Sequence, residues 1–218
     1  MKMKTHLIIF LLTTLIACGK DGGSTNTGDP GIVPNPLSEE ETIQGSYRAV
    51  LRPLNNHLSG FLPSGMAEIK ISGDAFSVKT LLDDDARVIH MQSIHEGVTC
   101  PRREDHDLNQ DGLIDIVEAK KASGEVYIPL DSDLNSIEAG SAVYPLGGNY
   151  TYIENASFTN LVEDMKMRTN RNLKLTGRVV LIHGVEAATK LPRTVATING
   201  MPKTASIPIA CGVLLKEY

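Results

Sequence analysis

Oxygen-bearing side chains recur at a regular spacing in the twelve residues from Asp107 to Glu118. Carboxylates or amides stand at positions 1, 3, 5, 9 and 12 of this segment, and a glycine stands at position 6, where the backbone must turn sharply. This is the pattern of an EF-hand calcium loop, in which position 7 contributes its backbone carbonyl and position 12 binds through both carboxylate oxygens. The predicted calcium ligands are Asp107, Asn109, Asp111, the carbonyl of Leu113, Asp115 (through a water) and Glu118.

An acidic surface turn is the alternative interpretation of this segment, because Asp, Asn and Gly are ordinary turn formers. The flanks are irregular. Residues 100–106 show no apolar periodicity, whereas Ile116 to Ala122 predict two helical turns that end before Gly124. No second loop of this type occurs in the chain. A single loop without a paired partner indicates a structural calcium clamp rather than a calcium switch.

The N-terminal residues predict export and lipidation. Lys2 and Lys4 precede an apolar stretch at residues 7–17, which is too short to span a bilayer and typical of a signal-peptide core. Residues 15–18, Leu-Ile-Ala-Cys, resemble the lipobox of bacterial lipoproteins; the alternative is an ordinary signal peptide with a coincidental cysteine. We expect a signal peptide at 1–17, a lipidated Cys18 that anchors the chain to a membrane, and a polar tether over 18–43.

The predicted location is therefore the bacterial cell envelope. Gly19, rather than Asp, follows the cysteine, and by resemblance to enterobacterial sorting signals this indicates the outer membrane. The net charge of −5 and the lack of a basic run exclude nucleic acid as an expected partner. Apart from Cys18, the chain has two cysteines, Cys100 and Cys211. An even number of cysteines in an oxidising compartment predicts a disulfide; two buried free thiols are the alternative.

Short β-forming segments separated by turn signals predict an all-β domain over residues 44–218, an antiparallel sandwich or barrel. No long amphipathic helix is expected. The predicted strand segments are 47–51, 67–71, 76–81, 88–94, 125–130, 157–165, 173–183, 195–198 and 207–215.

Three of these regions resemble the copper/zinc superoxide dismutases. They are Ser-Ile-His-Glu-Gly-Val-Thr-Cys at 93–100, Gly-Arg-Val-Val-Leu-Ile-His at 177–183 and Ala-Cys-Gly-Val-Leu at 210–214, and they occur in the family's order. The resemblance covers about residues 45–216. It implies a Greek-key β-sandwich, the pairing of Cys100 with Cys211, and a calcium loop inserted where the family carries its zinc loop.

The metal ligands of that family are mostly missing. His95 and His183 align with two of its four copper histidines, but Ser93 replaces a third and Pro208 aligns with the arginine that guides superoxide. Two imidazoles do not securely hold a redox-cycling copper. Dismutase activity is therefore not expected, and neither is bound copper.

A residual copper site would use His95 and His183, with His90 as a candidate third ligand; the alternative is that both are hydrogen-bonded within the sandwich. His90 and His95 are an odd number of residues apart, so a regular strand would place them on opposite faces.

Two functions follow from these patterns. The preferred one is a non-catalytic, calcium-binding envelope lipoprotein, in which calcium orders a loop on a superoxide dismutase-like sandwich beside a surface for an unidentified protein partner. The alternative is a divergent superoxide dismutase or a copper-binding envelope protein that uses His95 and His183.

Overall fold

The strands of the protein form one antiparallel, curled arrangement in the order β5-β4-β7-β8-β1-β2-β3-β6, with β9 paired to β1. This computed structural model describes residues 43–59, 62–135, 143–198 and 200–218. Their strands are β1 Gly45–Pro53, β2 Ser64–Ser72, β3 Ala75–Asp83, β4 Gln92–His95, β5 Val126–Pro129, β6 Tyr150–Ser157, β7 Val179–His183, β8 Pro208–Val213 and β9 Leu215–Glu217. The predicted all-β class is confirmed.

Strand β1 joins the two halves of this arrangement. Its first seven residues pair with β2, and its last two pair with β8. Burial alternates along β1, β2 and β3, so one face of each strand packs on the core and the other faces solvent. By contrast, every residue of β4 and of β7 is buried. Both faces of the sheet at β4 and β7 are therefore covered by other parts of the protein.

The outer cover comes from the segment that contains the predicted calcium loop. Ile114 and Ala119 pack with Val179, Leu181 and Cys211 in a small apolar cluster separate from the main core. The predicted disulfide is confirmed: Cys100 and Cys211 are bonded, with their Cα atoms 5.9 Å apart. The loop is thus attached to β7 and β8 both covalently and by packing.

Short helices connect the strands, and one corrects a sequence prediction. They are α1 Asn56–Ser59, α2 Arg103–His106, α3 Ile116–Ser123, α4 Phe158–Thr169 and α5 Lys203–Ser206. Helix α3 and its end at Gly124 are confirmed. The segment 157–165 was predicted as a strand, but Ser157 caps α4 by accepting a hydrogen bond from the Asn160 amide, and Leu161 and Met165 are buried on one face. Their spacing of four residues is that of a helix.

Three other strand predictions were wrong in extent. Residues 195–198 form no strand, β7 covers only the second half of the predicted segment 173–183, and β4 begins only at Gln92 of the predicted segment 88–94. Strand β6 was not predicted. The predicted signal peptide at residues 1–17, Cys18 and all but the last residue of the tether lie outside the described residues. Among the residues that are described, no helix has the length and apolar character needed to cross a membrane.

Candidate metal centre

The backbone of the loop at 107–118 turns at the two places that an EF-hand loop requires. Gln110 and Gly112, at positions 4 and 6, have φ angles of 57° and 89°, in the left-handed region. A β-carbon at Gly112 would meet only the His57 ring, 3.9 Å away, so the glycine is required by the backbone angle and not by crowding. The backbone therefore folds inward around positions 1 to 6.

The side chains at positions 1, 3 and 5 point into this turn and accept backbone hydrogen bonds. Asp107 accepts from the amides of Asp111 (3.1 Å) and Gly112 (2.9 Å), one on each carboxylate oxygen. Asn109 Oδ1 accepts from the Asp111 amide at 2.9 Å, and Asp111 Oδ1 accepts from the Leu113 amide at 3.0 Å. Each of these oxygens has two lone pairs and uses one of them in an amide hydrogen bond, so the second lone pair can still bind a cation.

Glu118 and Asp115 connect the end of the loop to its beginning. Asp115 is the N-cap of α3, and its side chain accepts hydrogen bonds from the amides of Val117 and Glu118. In turn, Glu118 Oε2 accepts a hydrogen bond from the Asp115 amide at 3.0 Å. The other oxygen of Glu118 reaches across the loop to the amides of Leu108 (2.8 Å) and Asn109 (3.2 Å). This reciprocal capping box fixes the carboxylate of Glu118, which is almost fully buried, over the loop.

Asn55 supports the loop and was not identified from the sequence. Its side-chain amide bonds both backbone groups of Ile114, donating to the carbonyl at 2.7 Å and accepting from the amide at 2.8 Å. The same nitrogen donates to the Pro208 carbonyl at 3.0 Å. A neighbouring β-strand would make the same pair of bonds, so Asn55 takes the place of a paired strand at position 8.

A second contact joins the loop to the segment before α5. Thr194 Oγ1 donates to Asp111 Oδ2 at 2.6 Å, and the Ala196 amide donates to Asp115 Oδ2 at 2.7 Å. This segment was predicted to contain a strand at 195–198. It instead lies against the loop at 107–118, because two of the loop's carboxylates supply acceptors for its polar groups.

The donor set of the loop fits a hard cation such as calcium. All of the predicted ligands are oxygens, and three side chains are directed inward by their amide bonds. Within the described part of the chain, no three His, Cys, Asp or Glu side chains are gathered as a metal cluster. The carboxylates instead bind backbone amides, and Glu118 Oε1 binds two of them. Bidentate coordination would require Glu118 Oε1 to release an amide.

The two histidines of the predicted copper site are neighbours. The rings of His95 and His183 lie 6.5 Å apart between centroids and are buried. His95 Nδ1 bonds the Gly124 carbonyl at 3.0 Å, and its Nε2 bonds Ser93 Oγ at 2.9 Å. His183 Nε2 is buried and has no hydrogen-bond partner among the described residues. Burial, and then the charge of His95, lowers the pKa of His183 to about 3, so His183 is neutral.

Neither His90 nor His106 joins this pair as a third ligand. The ring of His90 bonds the backbone carbonyl of His183 at 3.1 Å and lies 3.6 Å from Asp84. His106 bonds the backbone of Arg102, the residue before α2. The groups next to the pair are thus a serine hydroxyl and backbone, a donor set that does not fit the copper of the dismutase family.

Comparison with protein-family models and with curated proteins found no match to this chain.

Proposed function

We propose that this protein is a non-catalytic, calcium-binding lipoprotein of the cell envelope, in which calcium orders the loop at 107–118 on a β-sandwich like that of the copper/zinc superoxide dismutases. One observation carries the proposal. The loop has left-handed residues at positions 4 and 6, the side-chain oxygens of positions 1, 3 and 5 accept amide hydrogen bonds within the turn, and Glu118 bonds the amides of Leu108 and Asn109 from the other end. An ordinary acidic turn does not need a buried carboxylate at position 12.

Calcium would act here as a clamp. Four carboxylates repel one another within twelve residues, and a divalent cation relieves that repulsion. The ordered loop is joined to β8 through Asn55, to the disulfide through its apolar cluster and to the segment 194–196 through Asp111 and Asp115. Calcium binding would therefore stabilise three chain segments that are distant in sequence, and the surface that they share would be available to a protein partner.

The strand order supports the dismutase-like arrangement. Strands β3 and β6 are neighbours, as are β4 and β7, and each pair is separated in sequence by other strands, as in a Greek key. The disulfide joins the two cysteines that the resemblance pairs. The lipobox-like residues 15–18 support the proposed membrane anchor. In this proposal Cys18 is the lipidated residue and the outer membrane is the location.

Thermal unfolding of the full chain in detergent, with calcium and with chelator, tests the clamp. Extracellular calcium sites have dissociation constants of about 0.1–1 mM, so about 10 mM calcium should stabilise the fold by about 1.4–2.7 kcal/mol. For a domain of this size that is a rise in Tm of roughly 3–11 °C.

Two variants with the same charge change make this test specific. Glu118→Gln keeps an oxygen for the capping bond but removes the charge, so the calcium-dependent rise in Tm should be smaller than in the wild type. Glu186→Gln changes an exposed carboxylate outside the loop and should retain the full rise. Equal calcium responses in the two variants would contradict the proposal, and so would a wild-type protein that calcium does not stabilise.

Copper binding by His95 and His183 is the second candidate, and the unpartnered Nε2 of His183 favours it. An unbonded, neutral and buried imidazole nitrogen is a ready ligand for a soft or borderline metal. Two imidazoles and one serine are too few for the dismutase reaction, so this candidate is a binding function. This candidate is tested by stripping the protein of metal and titrating it with Cu(I) in the presence of a competing chelator. One copper per chain that is lost in His183→Ala would support it, whereas equal copper uptake by both proteins would exclude it.

A further inference from the structure

A second group of oxygen ligands lies in the turn after β5. Asp131, Asp133 and Asn135 alternate along the chain, and two of their side chains accept amide bonds within the turn. Asp131 Oδ1 accepts from the Asp133 amide at 3.0 Å, and Asp133 Oδ1 accepts from the Asn135 amide at 3.2 Å. These bonds turn each carboxylate toward the residue two positions ahead.

The turn repeats the bonding of the first loop. In that loop the side chains of Asn109 and Asp111 accept from the amides two residues ahead, at 2.9 and 3.0 Å. The spacing of the three oxygen-bearing residues, at every second position, is also the same. The twelve-residue motif is incomplete here.

An orphaned carboxylate oxygen distinguishes this turn from ordinary Asx turns. Asp131 is only 1% exposed, and its Oδ2 is buried with no hydrogen-bond partner among the described residues. Its other oxygen, Oδ1, accepts from the Asp133 amide, so the carboxylate lies beside Asp133 in the turn. The position of Asp131 is also fixed from the opposite side, because Tyr152 donates to its backbone carbonyl at 2.6 Å.

Neither protonation nor a protein cation satisfies this oxygen. A proton on Oδ2 would need an acceptor, and Oδ2 has no hydrogen-bond partner among the described residues. A buried carboxylate without a partner destabilises the fold, and a bound cation would offset that cost.

We propose that Asp131, Asp133 and Asn135 form a second calcium site, independent of the loop at 107–118. All of the ligands are hard oxygens, which selects calcium over soft transition metals. Asp131 would supply the buried Oδ2, and Asp133 and Asn135 would bind from the exposed side.

Equilibrium dialysis with radioactive calcium on the full chain in detergent tests this site. The wild-type protein should bind two calcium ions per chain, Glu118→Gln one, and Glu118→Gln combined with Asp131→Asn none. Because the chain has no tryptophan, terbium luminescence excited through tyrosine gives a second readout. Glu118→Gln should give terbium emission that calcium displaces, and the double variant should lose it.

Two further variants are needed as controls. Asp133 is exposed, so Asp133→Asn tests the site if Asp131→Asn does not fold. Added to Glu118→Gln, it should raise the dissociation constant of the one remaining calcium ion at least tenfold. Asp85→Asn, also exposed, is the matched control and should change nothing. No calcium in Glu118→Gln would overturn the second site and leave the first intact. One calcium in both wild-type and Glu118→Gln, lost with Asp131→Asn, would support the second site and contradict the first.

Discussion

Asn55 should be more important to the loop than any residue outside it. Its side chain makes three hydrogen bonds of 2.7, 2.8 and 3.0 Å in a buried position, two of them to Ile114 at position 8 of the loop. Its own φ of 52° is in the left-handed region, which asparagine tolerates and alanine does not. Asn55→Ala therefore removes three bonds and strains the backbone.

The expected loss of stability follows from these terms. Three buried hydrogen bonds at about 0.5–1.5 kcal/mol each give about 1.5–4.5 kcal/mol, and the left-handed backbone adds about 1 kcal/mol. Calcium affinity should fall about 10–100-fold, because groups that orient metal ligands have effects of this size. Denaturant unfolding in chelator measures the first effect, and a calcium isotherm measures the second.

Asn170 provides the matched control for the backbone term. It has a φ of 54°, is exposed and ends α4, far in sequence from the loop. Asn170→Ala should cost only about 1 kcal/mol and leave calcium affinity unchanged. If Asn55→Ala costs no more than Asn170→Ala and binds calcium as the wild type does, Asn55 does not hold the loop as we infer.

Three further results are expected. Burial and the charge of His95 lower the pKa of His183 from 6.5 to about 3, so the unfolded chain takes up a proton that the folded protein excludes. The free energy of unfolding should then fall by about 1.4 kcal/mol per pH unit from pH 6.5 toward pH 3; denaturant titrations should show a smaller slope in His183→Gln than in the wild type, and equal slopes would contradict the burial of a neutral His183. Reduction of Cys100–Cys211, which are 111 residues apart, should lower stability by at most about 4–5 kcal/mol in denaturant titrations; a loss below 1 kcal/mol would mean that the unfolded chain is already compact. Gly112→Ala should cost about 1–2 kcal/mol by denaturant unfolding and weaken calcium binding in an isotherm, and unchanged affinity would show that the turn does not position the ligands.

Local patterns predicted much of the fold. Alternating burial along β1 to β3 matches the alternation in the sequence, and the helix after the calcium loop begins and ends where its cap residues indicate. Helix α4 contains β-forming residues, which favour a strand, but its buried residues Leu161 and Met165 are four positions apart, which is the spacing of a helix. Propensity is a weaker guide than the period of the buried positions.

The parts of the candidate site that come from distant residues could not be predicted. Asn55 is 59 residues from Ile114, and Thr194 is 83 residues from Asp111. No local pattern marks either residue, because an asparagine before a short helix and a threonine in a polar loop are common. Burial of Asp131 depends in the same way on the packing of segments that the sequence does not show to be neighbours.

Calcium binding at Glu118 is the central claim and is tested most directly by comparing the calcium isotherms of the full chain and of Glu118→Gln. The wild-type protein should bind one more calcium per chain than the variant, with a dissociation constant of about 0.1–1 mM. Identical isotherms for the two proteins would contradict the account.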